Sequence, residues 1–228
     1  MRHILVYADS LTWGIVPNTR NRLPFEERWP GVLEDKLHQL GRPVRIVEDC
    51  LNGRRTVWDD PFKPGRNGLL GLAQRVESHS PLSLVILMLG TNDFQFSHPF
   101  NNAWSAAQGI AILIDAIRRA PIEPGMPVPP ILVVCPPPIH SPQGVIAAKF
   151  AGAENAVWDW RTSIAPYAPR WTAVSSTQPV SPPQAESMGF TWTGISIFRS
   201  VWHWRIRSPP SWNPVAWRVR AFDDAIPA

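Results

Sequence analysis

A chain of 228 residues, 44% apolar and 18% charged, suffices for one domain with a substantial core, and no apolar run approaches the roughly 20 residues that cross a bilayer, so no membrane partner is expected. The net charge of +4 is uneven: residues 1–154 carry 15 Lys and Arg against 14 Asp and Glu, residues 155–228 seven Arg against four acids, and the body has no clustered basic face to mark a nucleic-acid partner. Cys50 and Cys135 are too few for a disulfide framework, the histidines lack metal-ligand spacing, and the first strand occupies the place of a leader, so the chain reads as cytoplasmic with no cofactor and no metal.

Arg2 to Tyr7 is a short β-rich run and the first predicted strand; Ser10 follows it in a strand-to-helix turn. After a loop rich in Asn, Arg and Pro, a helix is expected from about Trp29 to Leu40, stopped by Gly41 and Pro43. Val44 to Val47 is the second strand, with Asn52-Gly53 beyond it. A polar stretch through Asp59-Asp60-Pro61 leads to a helix from about Gly68 to Ser78. Leu82 to Leu89 is continuously apolar, the pattern of a central strand. Ala106, Ile110, Leu113 and Ile117 recur at helical spacing, and that helix ends near Arg118-Arg119. Ile131 to Val134 is a fourth strand, closed by Pro136-Pro137-Pro138. Strand and helix alternate throughout, which implies a three-layer α/β/α sandwich over a doubly wound parallel sheet for residues 1–154.

The character changes after Glu154. The 74 residues from Asn155 contain no Leu and no Lys, against sixteen Leu before them, yet hold eight of the twelve Trp and nine of the Pro. No helical or strand period persists there beyond one turn, so residues 155–228 read as an irregular Trp-, Pro-, Arg- and Ser-rich segment.

In a parallel sheet the carboxyl ends of the strands gather at one edge, where sites form. Three strand ends here carry matching polar residues: Ser10, then Asn52-Gly53-Arg54, then Gly90-Thr91-Asn92-Asp93. A serine hydroxyl is a poor nucleophile unless a base takes its proton and donors stabilise the oxyanion. Ser10 can offer its own N–H, Gly53 a second one unobstructed by a side chain, and Asn92 its carboxamide. Taken singly, Ser10 can equally cap the next helix, Gly53 merely turn the chain and Asn92 form an Asx-turn. Their occurrence after three successive strands favours a nucleophile facing an oxyanion hole.

These blocks resemble those of the SGNH (GDSL-type) hydrolases, in particular the small bacterial arylesterase and acyltransferase branch. The likeness lies in Ala8-Asp9-Ser10-Leu11-Thr12-Trp13-Gly14, Leu51-Asn52-Gly53-Arg54-Arg55-Thr56, Asp59-Asp60-Pro61 and Met88-Leu89-Gly90-Thr91-Asn92-Asp93, with Val133 to Pro138 as a branch feature. It covers roughly residues 2–154 and implies a flavodoxin-like sheet, Ser10 as nucleophile, Gly53 and Asn92 as oxyanion donors, and small ester substrates such as acetates of aryl or simple alkyl alcohols, with acyl transfer to alcohols or peroxide. Ala8 stands where the family has glycine, which matters if the turn needs a positive φ. Trp13, Trp58 and Asp59-Asp60 line either a subunit contact of a homo-oligomer or the entrance to the site.

The resemblance also implies a base from an Asp-x-x-His near the C-terminus, and the chain contains none; Thr193-Gly194-Ile195-Ser196-Ile197-Phe198 stands where it is expected. The genetic code offers a cause. Tryptophan has one codon, so a two-base shift of Val157 to Arg161 must give Leu, Met or Val, then Gly-Leu, then Ala or Glu; Val201 to Arg205 likewise gives Ala-Leu. Trp192-Thr193 forces an aspartate, Gly194 permits a glycine after it, and a permitted histidine falls four residues after the aspartate. The missing leucines return in that frame, so the expectation is a frameshift between about Glu154 and Val157. In the printed frame His98, His140 and His203 are weak candidates for a base, each more readily read as a surface or packing residue. The alternative to an esterase is a catalytically inactive hydrolase scaffold, a pseudoenzyme or a Trp-rich binding module.

Overall fold

The computed structural model describes residues 1–16, 19–100, 102–137, 139, 142–156, 163 and 172–174. Among these residues five strands, β1 (Arg2–Ala8), β2 (Val44–Cys50), β3 (Leu84–Met88), β4 (Ile131–Cys135) and β5 (Thr172–Val174), form one parallel sheet in the order β2-β1-β3-β4-β5. The helices are α1 (Ser10–Trp13), α2 (Trp29–Gln39), α3 (Leu72–His79), α4 (Ala103–Arg118) and α5 (Ala153–Ala156). None of these helices is long and apolar enough to cross a membrane.

The central strands β1, β3 and β4 are buried on both faces, so they read as apolar runs rather than as alternating sequence. Ile4, Val6 and Ala8 of β1 and Ile86 and Met88 of β3 face Trp29, Leu33 and Leu37 of α2. Leu5 and Tyr7, with Val85 and Leu87, face Leu72 and Val76 of α3 and Ala106, Ile110, Leu113 and Ile117 of α4. The four α4 residues picked out by their spacing are each at most 1% exposed. The expected sandwich is thus the observed one, with helices on both faces of a parallel sheet. The stretch from residue 155 adds β5, which pairs in parallel with β4 from Val133 opposite Thr172 to Cys135 opposite Val174.

Boundaries differ from the sequence reading in informative places. β2 runs three residues past Val47, through Glu48, Asp49 and Cys50, each paired with β1. The two acids are tolerated because Arg28 and Arg22 reach Glu48 at 2.7 and 3.2 Å, and Arg54 and Arg75 each reach Asp49 at 2.5 Å. α3 begins at Leu72 rather than at Gly68, which lies packed against the carbonyls of Arg55 and Thr56, where even a Cβ would come within 2.6 and 2.7 Å. Neither Cys50 nor Cys135 forms a disulfide.

Register is what positions the site. Ala8 lies opposite Cys50 on one side and Met88 on the other, so β1, β2 and β3 end level. The chain leaving each strand therefore emerges at the same edge, carrying Ser10, Gly53 and Asn92 respectively.

Candidate active site

Ser10 is the first residue of α1, and the cap of that helix is Asp9, whose Oδ1 accepts from Leu11 N at 2.9 Å. The cap duty that a serine at this turn can perform is thus taken by its neighbour. Ser10 is half-buried, and among the described residues neither its N–H nor its hydroxyl has a protein partner. Ala8 needs no positive φ: it is the buried last residue of β1 and in extended backbone, so alanine fits where the family has glycine.

The turn after β2 is drawn to the end of β1 by one carbonyl. Ala8 O accepts from Leu51 N at 3.0 Å and from Arg54 Nη1 at 3.0 Å. The Arg54 guanidinium also lies 4.0 Å above the Tyr7 ring, and the Tyr7 hydroxyl donates to Gly68 O at 2.8 Å. Between them Gly53 adopts φ +86°, a left-handed conformation that glycine takes without steric cost. Its N–H has no protein partner among the described residues, and the space where a Cβ would stand is open, with Arg66 Nε nearest at 3.9 Å.

Asn92, 4% exposed, closes the third side from a single 3-10 turn (Thr91–Phe94) after β3. Its Nδ2 donates to Asp9 Oδ2 at 3.2 Å and to Arg54 O at 3.1 Å, and its Oδ1 accepts from Gln95 Nε2 at 2.9 Å. This is no Asx-turn: the carboxamide bridges the ends of β1 and β2. Asp93 beside it accepts from Thr56 N at 2.9 Å and from the Thr56 hydroxyl, which fastens the β2 loop to the β3 loop. Thr56 in turn packs on Gly109 of α4, where any Cβ would come within 2.1 Å of Thr56 Oγ1.

The electrostatics follow from burial. Desolvation raises Asp9 to about 7 against the stabilising Leu11 N–H and Arg54 charge, with the Asp93 charge adding to the rise. Desolvation likewise raises Asp93 to about 7, opposed by its bonds from Thr56 and by Arg55. Cys50 is pushed up by burial and by Glu48, so it is a poor thiolate at neutral pH.

Of the predicted residues, Ser10, Gly53 and Asn92 are brought to one edge and linked through Ala8, Asp9 and Arg54. His98 is not part of that constellation. It is 2% exposed, its Nδ1 accepts from Phe100 N at 2.9 Å, and its ring meets Trp58 edge-on at 5.1 Å and Phe100 at 6.2 Å. Burial and the Arg55 charge lower it to about 4, so the imidazole packed between these rings is neutral at neutral pH. His140, His203 and the Thr193–Phe198 stretch lie outside the described residues. Among the described residues no histidine hydrogen-bonds to Ser10.

The sequence reading assigned no role to Arg54, Arg55 or Gln95, which support the site from below. Arginines at 4% and 1% exposure run against the usual surface preference, so composition gives no signal for them. Their place within the Asn52 to Thr56 block was the available clue.

Over residues 9–179 the chain matches the GDSL-like Lipase/Acylhydrolase family, a span that passes Glu154 and takes in β5. An arylesterase of Vibrio mimicus is 33% identical over 90 residues, 40% of this chain and 37% of that enzyme's length. Among solved structures, a carbohydrate acetylesterase family member from Sinorhizobium meliloti superposes with a TM-score of 0.71 at 31% identity, covering 78% of this chain and 87% of that one. The native aryl esterase of M. smegmatis superposes with a TM-score of 0.70 at 31% identity, covering 80% and 87%.

Proposed function

Because the chain belongs to the GDSL-like lipase/acylhydrolase family, whose members are ester hydrolases, we propose that it cleaves small acyl esters through an acyl-serine intermediate on Ser10. The observation that carries this reading is the junction of three strand ends: a serine relieved of capping, a left-handed glycine with a free N–H, and a buried carboxamide tied to the residue before the serine.

Ser10 Oγ attacks the ester carbonyl as its proton passes to a base. Negative charge then develops on the former carbonyl oxygen, within reach of the Ser10 and Gly53 N–H groups and Asn92 Nδ2. Asn92 contributes by giving the oxyanion a hydrogen now lent to Arg54 O or Asp9. Collapse expels the alcohol, which takes up the proton; water then attacks the acyl-serine and releases the acid. An alcohol or a peroxide in place of water gives acyl transfer. The names of the similar enzymes, arylesterase and carbohydrate acetylesterase, support an acetyl-sized acyl group and an aryl or sugar alcohol as leaving group.

The base is the element the printed frame lacks. The family resemblance calls for an Asp-x-x-His, and the reading proposed here is that residues 155–228 are the frameshifted remainder of the same domain. A second reading rests on that same absence: a non-catalytic scaffold that binds its ligand without turnover. Hydrolysis of p-nitrophenyl acetate, with Ser10→Ala as control, separates the two. Turnover lost with Ser10 supports the enzyme. Inactivity of the 228-residue chain that persists in the frame-restored protein, with ligand binding kept in both, supports the scaffold.

A further inference from the structure

Gln95 and Arg55 belong to none of the three strand-end blocks as a donor, yet both are only 1% exposed and both are wired to Asn92. Arg55 Nη2 donates to Gln95 Oε1 at 3.0 Å, and Gln95 Nε2 donates to Asn92 Oδ1 at 2.9 Å. We infer that Gln95 is a positioning residue: held by Arg55, it dictates which way the Asn92 carboxamide faces. The inference rests on the reading of Asn92 as an oxyanion donor.

The direction is fixed from the cationic end. A guanidinium only donates, so Gln95 must turn its oxygen to Arg55 and its NH2 away from it. That NH2 requires an acceptor, which is Asn92 Oδ1. With its oxygen engaged, Asn92 must present Nδ2 on the opposite side, where Asp9 Oδ2 lies at 3.2 Å and Arg54 O at 3.1 Å. Turning Asn92 over would set its oxygen against a carboxylate and a carbonyl, and its NH2 against the Gln95 NH2. Asn92, Asp9, Arg54, Arg55 and Gln95 are all at most 4% exposed, so water is not at hand to satisfy the reversed groups. Two amides in series thus carry the polarity of one buried cation to the donor of the site. Arg55 is itself anchored: its Nη1 donates to Asp59 O at 2.9 Å, its N–H to Arg66 O at 2.8 Å, and the Asp60 carboxylate stands 3.9 Å from Nη2. The Asp59-Asp60-Pro61 block therefore acts on the reaction through Gln95.

Two readouts on two Gln95 variants test this. The first needs no turnover. In Gln95→Glu the new carboxylate keeps Arg55 but can only accept, so a crystal structure should show Asn92 turned, with Nδ2 donating to the introduced carboxylate and the fold unchanged. An Asn92 that keeps Nδ2 on Asp9 in that variant overturns the inference, whatever the activity. The second is kinetic, with p-nitrophenyl acetate and whichever reading frame turns it over. Gln95→Met, which removes the donor at equal length, should lower kcat about tenfold or more with KM within about twofold, and should lower it no further in an Asn92→Ala background. A fall of equal size in both backgrounds would mean that Gln95 serves packing alone and would overturn the inference. Should Asn92→Ala by itself leave kcat intact, the oxyanion reading fails, while the crystallographic readout still decides what Gln95 does.

Discussion

The carboxamide of Asn92 donates to the carboxylate of Asp9 at 3.2 Å across 83 residues of sequence. One side chain thereby receives two structural orders: Asp9 Oδ1 holds the first turn of α1, on which Ser10 stands, and Asp9 Oδ2 holds the group that closes the third side of the site. The distance between Ser10 and the Asn92 carboxamide is set by two hydrogen bonds and one peptide unit, all from buried or half-buried parts. A site built this way is rigid before substrate arrives, as electrostatic preorganisation requires.

Removal of the carboxamide should be felt in the chemical step. For Asn92→Ala, kcat for p-nitrophenyl acetate should fall by about 10²–10³, the usual effect of losing one oxyanion donor, with KM changed by less than about threefold. The same change strands Asp9 Oδ2 and Arg54 O, so a stability loss of about 1–3 kcal/mol should appear in urea unfolding. A variant that loses stability but keeps kcat would reduce Asn92 to a strut between loops.

Asp93 makes stability depend on pH with a sign that can be worked out. Its ordinary value is 3.8 and the fold raises it to about 7, so between about pH 4 and pH 7 the folded protein keeps a proton that the unfolded chain has released. Stability then falls as pH rises through that window and is level above it. Asp9, raised to about 7 by desolvation, adds the same slope. His98 opposes both: lowered from 6.5 to about 4, it removes stability as pH falls through about 6.5 to 4. Asp93→Asn can keep an acceptor for Thr56 N and a donor for Thr56 Oγ1 while deleting one titration. Its melting temperature should therefore vary less between about pH 5 and 7 than that of the parent. The ceiling for one such carboxyl is about 4 kcal/mol at 1.36 kcal/mol per pH unit. Parallel curves for the two proteins would show that Asp93 ionises normally in the fold.

The histidine nearest the site in sequence should prove dispensable. His98→Asn preserves an acceptor for Phe100 N, and since His98 is buried beside Trp58 with no bond to Ser10, kcat should stay within about twofold. Steady-state kinetics across neutral pH would check it. A hundredfold loss would make His98 the base and would require the Trp58 and Phe100 packing to open.

The sheet, the layers and the helix faces were legible in the sequence because both-face burial makes the central strands apolar throughout and because α4 places Ala106, Ile110, Leu113 and Ile117 on one stripe. The gathering of Ser10, Gly53 and Asn92 at one edge was legible because each lies a few residues past a strand end, so parallel topology alone collects them. The end of β2 was not, since Glu48 and Asp49 look like a loop until Arg22, Arg28, Arg54 and Arg75 are seen to neutralise them across the fold. Nor were Gln95 and Arg55, whose roles depend on a hydrogen bond between residues 40 apart. α1 escaped because one turn is too short to show a period. Asp9 had no visible duty until its two oxygens were seen to face different strands.

The remaining prediction concerns the reading frame. On the proposed reading the strand ends supply the oxyanion donors, yet a serine without a base transfers its proton to water alone, and general-base help contributes about 10²–10⁴ in rate. If residues 155–228 are a shifted reading, moving the frame by two bases between about Glu154 and Val157 should supply leucine-bearing helical sequence and an aspartate followed by a histidine. The frame-restored protein should then hydrolyse p-nitrophenyl acetate about 10²–10⁴ times faster than the 228-residue chain, and the gain should vanish with Ser10→Ala or with alanine at the new histidine. The opposite result is equally specific. A 228-residue chain that already turns over, and stops when Ser10 is changed, has its true frame and draws its proton acceptor from elsewhere, with His140→Ala and His203→Ala as the variants that would find it. The two outcomes separate a damaged esterase from one that has replaced its base, because the oxyanion donors are common to both and only the proton acceptor differs.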